Sequence, residues 1–151
     1  MPELPEVETV CNGLKENVLG LEIVNVIVRR SKLRENIPSN ITESIGSSIT
    51  NVFRRAKYII IELSNKKQLI IHLGMSGTFT IKSANDEIKK HSHIDFELSN
   101  GLILRYNDPR RFGMVLFEDN YIDNKYIKKC GLEPLTDEFM DDYLFNQSRK
   151  K

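Results

Sequence analysis

The first residues of the chain carry side chains that could do covalent chemistry. Removal of Met1 would expose Pro2 as a secondary amine, and carboxylates follow at Glu3, Glu6 and Glu8. An amine nucleophile beside a carboxylate at a helix start is a reactive-site arrangement. The same residues also suit an ordinary helix start, where proline is tolerated and acidic side chains face the positive end of the helix dipole. The spacing alone favours this second, structural interpretation.

Two later loops place a large apolar side chain between glycines and cations. Met75 lies in residues 72–77, beside His72, and Phe112 lies in residues 107–113, beside two arginines. Either residue alone is best explained as a core anchor. Together with the cations, they resemble apolar wedges that enter a base stack and fill the gap left by an extruded base.

Positive charge is clustered along the chain, although the net charge is only +1. A basic face with acidic segments elsewhere permits polyanion binding, although a solvated surface explains any single cluster. The clusters are Arg29, Arg30, Lys32 and Arg34; Arg54, Arg55 and Lys57; Lys89, Lys90 and His91; and Arg110 with Arg111.

The length and composition predict one soluble domain with a hydrophobic core. The chain has 151 residues, of which 40% are hydrophobic and 28% charged. We find neither a membrane-length apolar run nor a secretory signal, and we therefore expect a cytoplasmic protein. Cys11 and Cys130 fit no metal-binding spacing and are predicted to be buried, reduced thiols.

Hydrophobic periodicity predicts an α+β, mainly β fold: an antiparallel β-sandwich flanked by helices. A helical period begins near Val7 and stops at Gly20, a second helix is expected over 121–130, and Thr136 would cap a third. Asn100 and Gly101 form a hairpin signal. Strands are predicted at 24–28, 49–53, 58–63, 68–73, 78–81, 94–98, 102–106 and 114–117.

Five sequence blocks, in order along the chain, resemble the formamidopyrimidine-DNA glycosylases. The blocks are PELPEVET at 2–9, RRAKY at 54–58, HLGMSG at 72–77, DPRRFG at 108–113 and GLEPL at 131–135. The related endonuclease VIII group shares the Pro-Glu start, but it typically differs at Leu4 and lacks the DPRRFG loop. The resemblance therefore favours the formamidopyrimidine branch.

The resemblance implies a catalytic role for four residues. Pro2 would attack C1′ of the damaged nucleotide, and Glu3 would protonate the sugar ring oxygen as the ring opens. Glu6 would order the helix start and nearby water, and Lys57 would supply the proton for β-elimination.

The resemblance also implies the DNA contacts. Met75, Arg110 and Phe112 would fill the void left by the flipped nucleotide. His72, His91, Arg110 and Lys151 would contact phosphates. The His91-Ser92-His93 segment offers no third metal ligand, so we interpret it first as a phosphate contact or plain surface and expect no metal.

The implied function is base-excision repair of oxidised purines, namely 8-oxoguanine and formamidopyrimidines, by a bifunctional DNA glycosylase and AP lyase. Its partner would be damaged double-stranded DNA, with no membrane involved, and the protein would be a monomer. Family members also carry a helix-two-turn-helix region and a four-cysteine zinc finger. Residues 1–151 contain neither, so we expect an N-terminal catalytic domain without a cofactor of its own, weakly active alone, with zinc in the full-length protein.

The sequence is also compatible with two other functions. The chain could be a non-catalytic fragment that binds damaged DNA, and borohydride trapping on abasic DNA would separate that function from catalysis. A small-molecule tautomerase also uses an N-terminal proline, but that family continues directly into a strand, whereas Pro5 and the acidic residues here indicate a helix. With Met1 attached, the nitrogen of Pro2 is a tertiary amide and cannot form a Schiff base.

Overall fold

The computed structural model of the chain describes residues 4–130. Its helices are α1 (Leu4–Val18) and α2 (Lys125–Cys130), and short 3₁₀ turns span Ser39–Ser44 and Tyr121–Asp123. The strands are β1 (Ile23–Val28), β2 (Ile49–Arg55), β3 (Tyr58–Leu63), β4 (Gln68–His72), β5 (Thr78–Lys82), β6 (Ser92–Leu98), β7 (Ile103–Asn107) and β8 (Met114–Glu118). The predicted order of elements is confirmed over these residues.

The strands form two four-stranded sheets in which every neighbouring pair is antiparallel. The first sheet has the order β1-β6-β7-β5, and the second has the order β2-β3-β4-β8. Their inner faces share one hydrophobic core, which includes Ile59 and Ile71 from the second sheet and Phe96 and Leu104 from the first. Successive side chains of a strand point to opposite faces, so each sheet contributes alternate residues to this core. The predicted β-sandwich is confirmed.

The second sheet is apolar on both faces. Ile59 belongs to the main core, whereas its neighbour Ile60 packs with Ile70 and Met114 in a second, smaller cluster. Ile127 of α2 belongs to this smaller cluster. The segment after β8 therefore covers the outer face of the second sheet.

Helix α1 runs antiparallel to β2. Just beyond the C-terminal end of α1, the Gly20 amide donates to the carbonyl of Ile49 at 2.8 Å. Near its other end, Glu8 forms an ion pair with Arg54 at 2.6 Å. Since Ile49 begins β2 and Arg54 lies near its end, the N-terminal end of α1 points toward the turn between β2 and β3. The predicted burial of Cys11 in this helix is confirmed.

One predicted element differs from the structure, and two predictions lie outside the described residues. The helix expected over 121–130 is broken at Asn124, whose side chain accepts the amide hydrogen of Tyr126 at 2.8 Å and caps α2. The strand predicted at 24–28 is confirmed as β1, an edge strand on which Val24 and Val28 are exposed. The Cys130 side chain and the helix expected after Thr136 lie outside the described residues. None of the helices within residues 4–130 is long and apolar enough to cross a membrane.

Candidate nucleic-acid interface

The antiparallel topology gathers the predicted site loops at one end of the sandwich. In the second sheet, Tyr58 pairs with His72, and His72 pairs with Met114. In the first sheet, Asn107 pairs with both Ser92 and Thr78. We call this region the loop end, and it comprises residues 28–34, 55–58, 72–78, 89–93 and 107–114.

Lys57 lies in a two-residue turn between the paired residues Arg55 and Tyr58. The first residue of the turn, Ala56, has a φ of 52°, as a tight hairpin of the II′ type requires. Arg54 holds this turn, because its Nη1 donates to the Ala56 carbonyl at 3.0 Å while its Nε donates to Glu8 at 2.6 Å. The turn that carries Lys57 is therefore fastened to α1.

His72 is a buried, neutral side chain at the end of β4. Its Nδ1 accepts the Gly74 amide hydrogen at 3.0 Å, and its ring packs against Tyr58 with 4.8 Å between centroids. Burial lowers the pKa of His72 to about 4, assisted by the positive charges of Arg34 and Lys57. The neutral ring therefore carries its hydrogen on Nε2. The predicted phosphate contact of His72 stays a prediction, and it would involve a neutral N–H donor.

The fully buried carboxylate of Asp108 joins the site loops. Its Oδ1 accepts hydrogen bonds from the Ser76 hydroxyl at 2.9 Å and from the Arg111 amide at 3.0 Å. Its Oδ2 accepts one from the Gly113 amide at 2.8 Å and lies 3.0 Å from the Tyr106 hydroxyl. Such charge-assisted bonds are stronger in a buried environment than in water.

The same centre reaches two further loops. The Tyr106 hydroxyl also lies 2.9 Å from the His72 carbonyl oxygen, and burial together with the Asp108 charge raises the pKa of Tyr106. The Asp108 amide donates to the His91 carbonyl at 3.1 Å, and the Asp108 carbonyl accepts from Nε2 of His93 at 2.7 Å. Segments 72–77, 91–93 and 108–113 therefore form one hydrogen-bonded unit.

Glycine is required where loop 72–77 touches loop 107–113, and we call these two the wedge loops. A Cβ atom at Gly113 would lie 1.9 Å from the Tyr106 hydroxyl oxygen and 2.3 Å from the His72 carbonyl oxygen. A Cβ atom at Gly74, whose φ is +64°, would lie 2.5 Å from the Gly113 nitrogen. The two loops pack backbone to backbone because neither glycine has a side chain.

The two wedge candidates are exposed and do not anchor the core. Met75 is 46% exposed and Phe112 is 47% exposed. The Arg110 guanidinium lies 5.4 Å from the centroid of the Phe112 ring. Arg111, which lies between Arg110 and Phe112 in the sequence, has a φ of 59°, a backbone conformation that non-glycine residues rarely adopt. Exposure of large apolar side chains on locked loops favours a contact with a partner over a packing role.

Part of the predicted basic face is paired with carboxylates of the same chain. Arg29 donates to Asp95 at 2.9 Å, and Arg105 binds the same carboxylate with two bonds of 2.9 Å. Burial alone would raise the pKa of Asp95, but the hydrogen bonds from the two arginines outweigh it and leave this pKa lowered. Arg54 is likewise paired with Glu8. Charge clusters in the sequence therefore overstate the number of cations available to a partner.

The structure brings six of the predicted site residues to the loop end: Lys57, His72, Met75, His91, Arg110 and Phe112. Glu6 is exposed in the first turn of α1. Pro2, Glu3 and Lys151 lie outside the described residues. Sequence reasoning missed Asp108 and Ser76 as individual residues, although both lie inside motifs that it had recognised. Residues 4–130 contain no group of three or more His, Cys, Asp or Glu side chains that could hold a metal ion.

The fold and this end of it define a class of protein. An antiparallel β-sandwich with basic, apolar-tipped loops at one end is suited to hold a nucleic-acid backbone and enter its base stack.

Comparison with known proteins gives the family. The sequence model of the formamidopyrimidine-DNA glycosylase N-terminal domain matches residues 1–115. A formamidopyrimidine-DNA glycosylase of Rickettsia canadensis is 49% identical over 146 residues, covering 95% of this chain and 54% of the relative. The Rickettsia conorii protein of the same name is 46% identical over 153 residues, covering 100% of this chain and 56% of the relative.

Solved structures of Lactococcus lactis Fpg share the fold. Its complex with DNA containing FAPY-dG has a TM-score of 0.75 at 29% identity, covering 84% of this chain and 48% of that chain. Its complex with DNA containing an abasic site has a TM-score of 0.76 at 28% identity, covering 85% of this chain and 48% of that chain. The chain therefore belongs to the formamidopyrimidine-DNA glycosylase family, and it spans about half the length of the curated relatives that it matches.

Proposed function

We propose that this chain is the N-terminal catalytic domain of a bifunctional DNA glycosylase and AP lyase. Its substrate class would be damaged double-stranded DNA containing oxidised purines, namely 8-oxoguanine and formamidopyrimidines. The observation that carries this proposal is the gathering of Lys57, Met75 and Phe112 at the end of the sandwich toward which α1 points its N-terminal end. The solved relatives were crystallised with DNA containing FAPY-dG or an abasic site, which supports the same substrate class.

The proposed chemistry begins at Pro2 after removal of Met1. Its secondary amine attacks C1′, the base leaves with the electrons of the C1′–N bond, and Glu3 protonates the ring oxygen as the sugar opens. The resulting iminium has no N–H proton to lose, so it stays positive and accepts electrons. Loss of a C2′ proton then expels the 3′ phosphate, with Lys57 as the proposed proton donor.

The orientation of α1 supports this assignment. Residues 2 and 3 immediately precede Leu4, where α1 begins. The Glu8–Arg54 ion pair and the Arg54–Ala56 bond fasten that end of α1 to the Lys57 turn. Glu6, in the first turn, would order the helix start and its water. The nucleophile and the proton donor would therefore enter the site from two adjacent, mutually fixed elements.

The exposed apolar pair would stabilise the extruded nucleotide. Met75 and Phe112 would occupy the space that the base leaves, and Arg110 would accompany them. Removing a base from the stack costs roughly a few kcal/mol, which such side chains offset. His72, His91, Arg110 and Lys151 would hold the phosphates on either side.

The isolated chain is proposed to be a weak enzyme. Its curated relatives are about twice as long, and the helix-two-turn-helix region and zinc finger of the family would complete the DNA clamp. Zinc would belong to that full-length protein, which we propose to be a cytoplasmic monomer. Positioning supplies about 7–11 kcal/mol of a barrier in well-oriented reactions, so a partial clamp should slow base removal most.

Borohydride trapping tests the proposal directly. Chain with Met1 removed should form a covalent adduct with abasic duplex and little with an 8-oxoguanine duplex, because an abasic site needs no base recognition. Chain that retains Met1 is the matched control and should form no adduct. Pro2→Gly should weaken trapping, since a primary-amine iminium can lose its proton. Equal adduct from the Met1-retaining chain would overturn Pro2 as the nucleophile and implicate another amine, such as that of Lys57.

A second candidate, a non-catalytic fragment that binds damaged DNA, is favoured by one observation. The exposure of Met75 and Phe112 explains recognition of an unstacked site without any chemistry. Selective binding to abasic duplex by the Met1-free chain, without any trapped adduct, would establish this candidate and exclude the first.

A further inference from the structure

One hydroxyl group connects the two wedge loops. Ser76, next to Met75, donates its hydroxyl hydrogen to Asp108 at 2.9 Å. The same hydroxyl oxygen accepts the amide hydrogen of Arg110 at 3.1 Å. Ser76 therefore contacts the second loop at two points, one of them two residues from Phe112.

The peptide segment of Phe112 is held from both sides by one carboxylate. The Arg111 amide donates to Oδ1 of Asp108 at 3.0 Å, and the Gly113 amide donates to Oδ2 at 2.8 Å. These two bonds restrain the backbone on either side of Phe112 relative to Asp108. Since Asp108 is fully buried, water does not compete for its oxygens.

We propose that Ser76 and Asp108 are positioning residues that lock loops 72–77 and 108–113 into one rigid wedge before DNA is bound. Met75 and Phe112 would then enter the base stack as a single unit. The conformational entropy of the two loops would be lost on folding and not on binding DNA. This inference rests on the proposed function and adds a requirement to it. Neither positioning residue needs to touch DNA, because both act through Met75 and Phe112.

Ser76 is the better of the two residues to change. It is only half-buried, and after Ser76→Ala the Asp108 Oδ1 still accepts the Arg111 amide hydrogen. Asp108→Asn would instead replace one carboxylate oxygen with an NH₂ group, which would face N–H donors such as the Arg111 and Gly113 amides. A matched control is Ser64→Ala at the opposite end of the sandwich, since the Ser64 hydroxyl accepts the Ser48 amide hydrogen at 2.9 Å.

The first measurement is the selectivity of the 151-residue chain, defined as its Kd for undamaged duplex divided by its Kd for abasic duplex at low salt. Ser76→Ala should lower this ratio about five- to tenfold, the equivalent of one net hydrogen bond. Ser76→Thr, which keeps the hydroxyl, should recover most of it, and Ser64→Ala should leave it unchanged. A Ser76→Ala chain with parental selectivity would overturn the inference.

A double-mutant cycle separates wedge positioning from general stabilisation. In a Met75→Ala/Phe112→Ala background, Ser76→Ala should have no further effect on the ratio, because no wedge is left to position. An equal loss in both backgrounds would assign Ser76 a merely structural role and overturn the inference.

Amide hydrogen exchange tests the coupling without DNA. Ser76→Ala should accelerate exchange at Gly77 and Gly113 together, although their own acceptors, the Leu73 carbonyl and Asp108 Oδ2, remain in place. Acceleration confined to Arg110 would show that the loops are independent, and it would overturn the inference while leaving the proposed function standing. A parent chain that binds both duplexes equally would overturn the wedge, whereas failure of the proposed function would show separately as the absence of a trapped adduct.

Discussion

The two ends of the sandwich are held together in different ways. At the loop end, bonds between loops converge on the buried carboxylate of Asp108. The opposite end, which we call the far end, includes the turns at 64–67 and 99–102. There, Lys67 bridges Glu43 at 2.8 Å and Asp119 at 3.0 Å. The Asp119 side chain is 87% exposed. Water competes for the far-end pairs and is excluded from Asp108, so only the loop end should depend strongly on its polar contacts.

Glycine also serves different purposes at the two ends. Gly101, in the far-end hairpin, has a φ of +87°, and a Cβ atom there would meet nothing within 4 Å. Gly113, at the loop end, would place its Cβ atom 1.9 Å from the Tyr106 hydroxyl oxygen. A turn needs glycine for its backbone conformation, whereas the site needs glycine for space.

The largest effect should therefore come from Gly113→Ala. The added methyl group would displace Tyr106 or the His72 carbonyl, and we expect a loss of about 4 kcal/mol or more in the free energy of unfolding. Gly101→Ala, the matched far-end control, should cost only about 1 kcal/mol because it strains φ without a clash. Urea unfolding of both variants measures the difference, and equal midpoints would contradict it.

Asp108→Asn should have the next largest effect. Replacing the carboxylate removes the charge from four donors and leaves some of them without an acceptor, which we expect to cost about 3 kcal/mol. Asp119→Asn removes one partner of an exposed bridge and should cost less than about 1 kcal/mol. Thermal unfolding checks this pair of variants. A comparable loss from Asp119→Asn would remove the distinction between the two ends.

Acid should weaken the loop end through His72. The pKa of folded His72 is about 4 against 6.5 for the free side chain, so between these values the unfolded chain binds a proton that the folded chain does not. Stability should fall as the pH falls from about 6.5 to 4, by at most about 3 kcal/mol.

Two variants isolate this pH dependence. His72→Asn keeps an acceptor near the position of Nδ1 for the Gly74 amide and should flatten the decline, whereas His91→Asn should not. Urea midpoints at pH 7 and pH 4.5 measure it. A His72→Asn chain that declines as steeply as the parent would show that other groups are responsible.

The smallest effect should come from removing one cationic side chain that is proposed to contact DNA. We expect weak, salt-sensitive binding by the chain, and Arg110→Ala should reduce the slope of log K against log salt by about 0.9, the value for one lost phosphate contact. Lys66→Ala at the far end should leave the slope unchanged. Affinity measured over a salt series gives both slopes. Binding insensitive to salt would contradict the proposed phosphate contacts.

Local sequence patterns determined much of the fold. Alternating apolar residues predicted β1, and short apolar runs predicted the strands from β2 to β8. Helical spacing predicted α1, and Asn100-Gly101 predicted the hairpin between β6 and β7. These features depend on neighbours within a few residues, where side-chain period and turn chemistry suffice. The break at Asn124 escaped the pattern because a side-chain cap competed with helix continuation.

Motifs in the sequence also identified the family and predicted a set of site residues. They predicted that Lys57, Met75 and Phe112 belong to one site, and the antiparallel pairing brought all three to the loop end. The proposed roles of Pro2 and Glu3 still rest on the motif itself, since both lie outside the described residues.

Only the tertiary structure decided how the site is held and charged. It made His72 neutral, paired Arg29 and Arg54 with carboxylates of the same chain, and gave Asp108 its donors from separate loops. Each of these outcomes depends on burial and on distances between residues far apart in sequence. Desolvation and long-range hydrogen bonding are properties of the folded arrangement, and a local pattern of residues does not encode them.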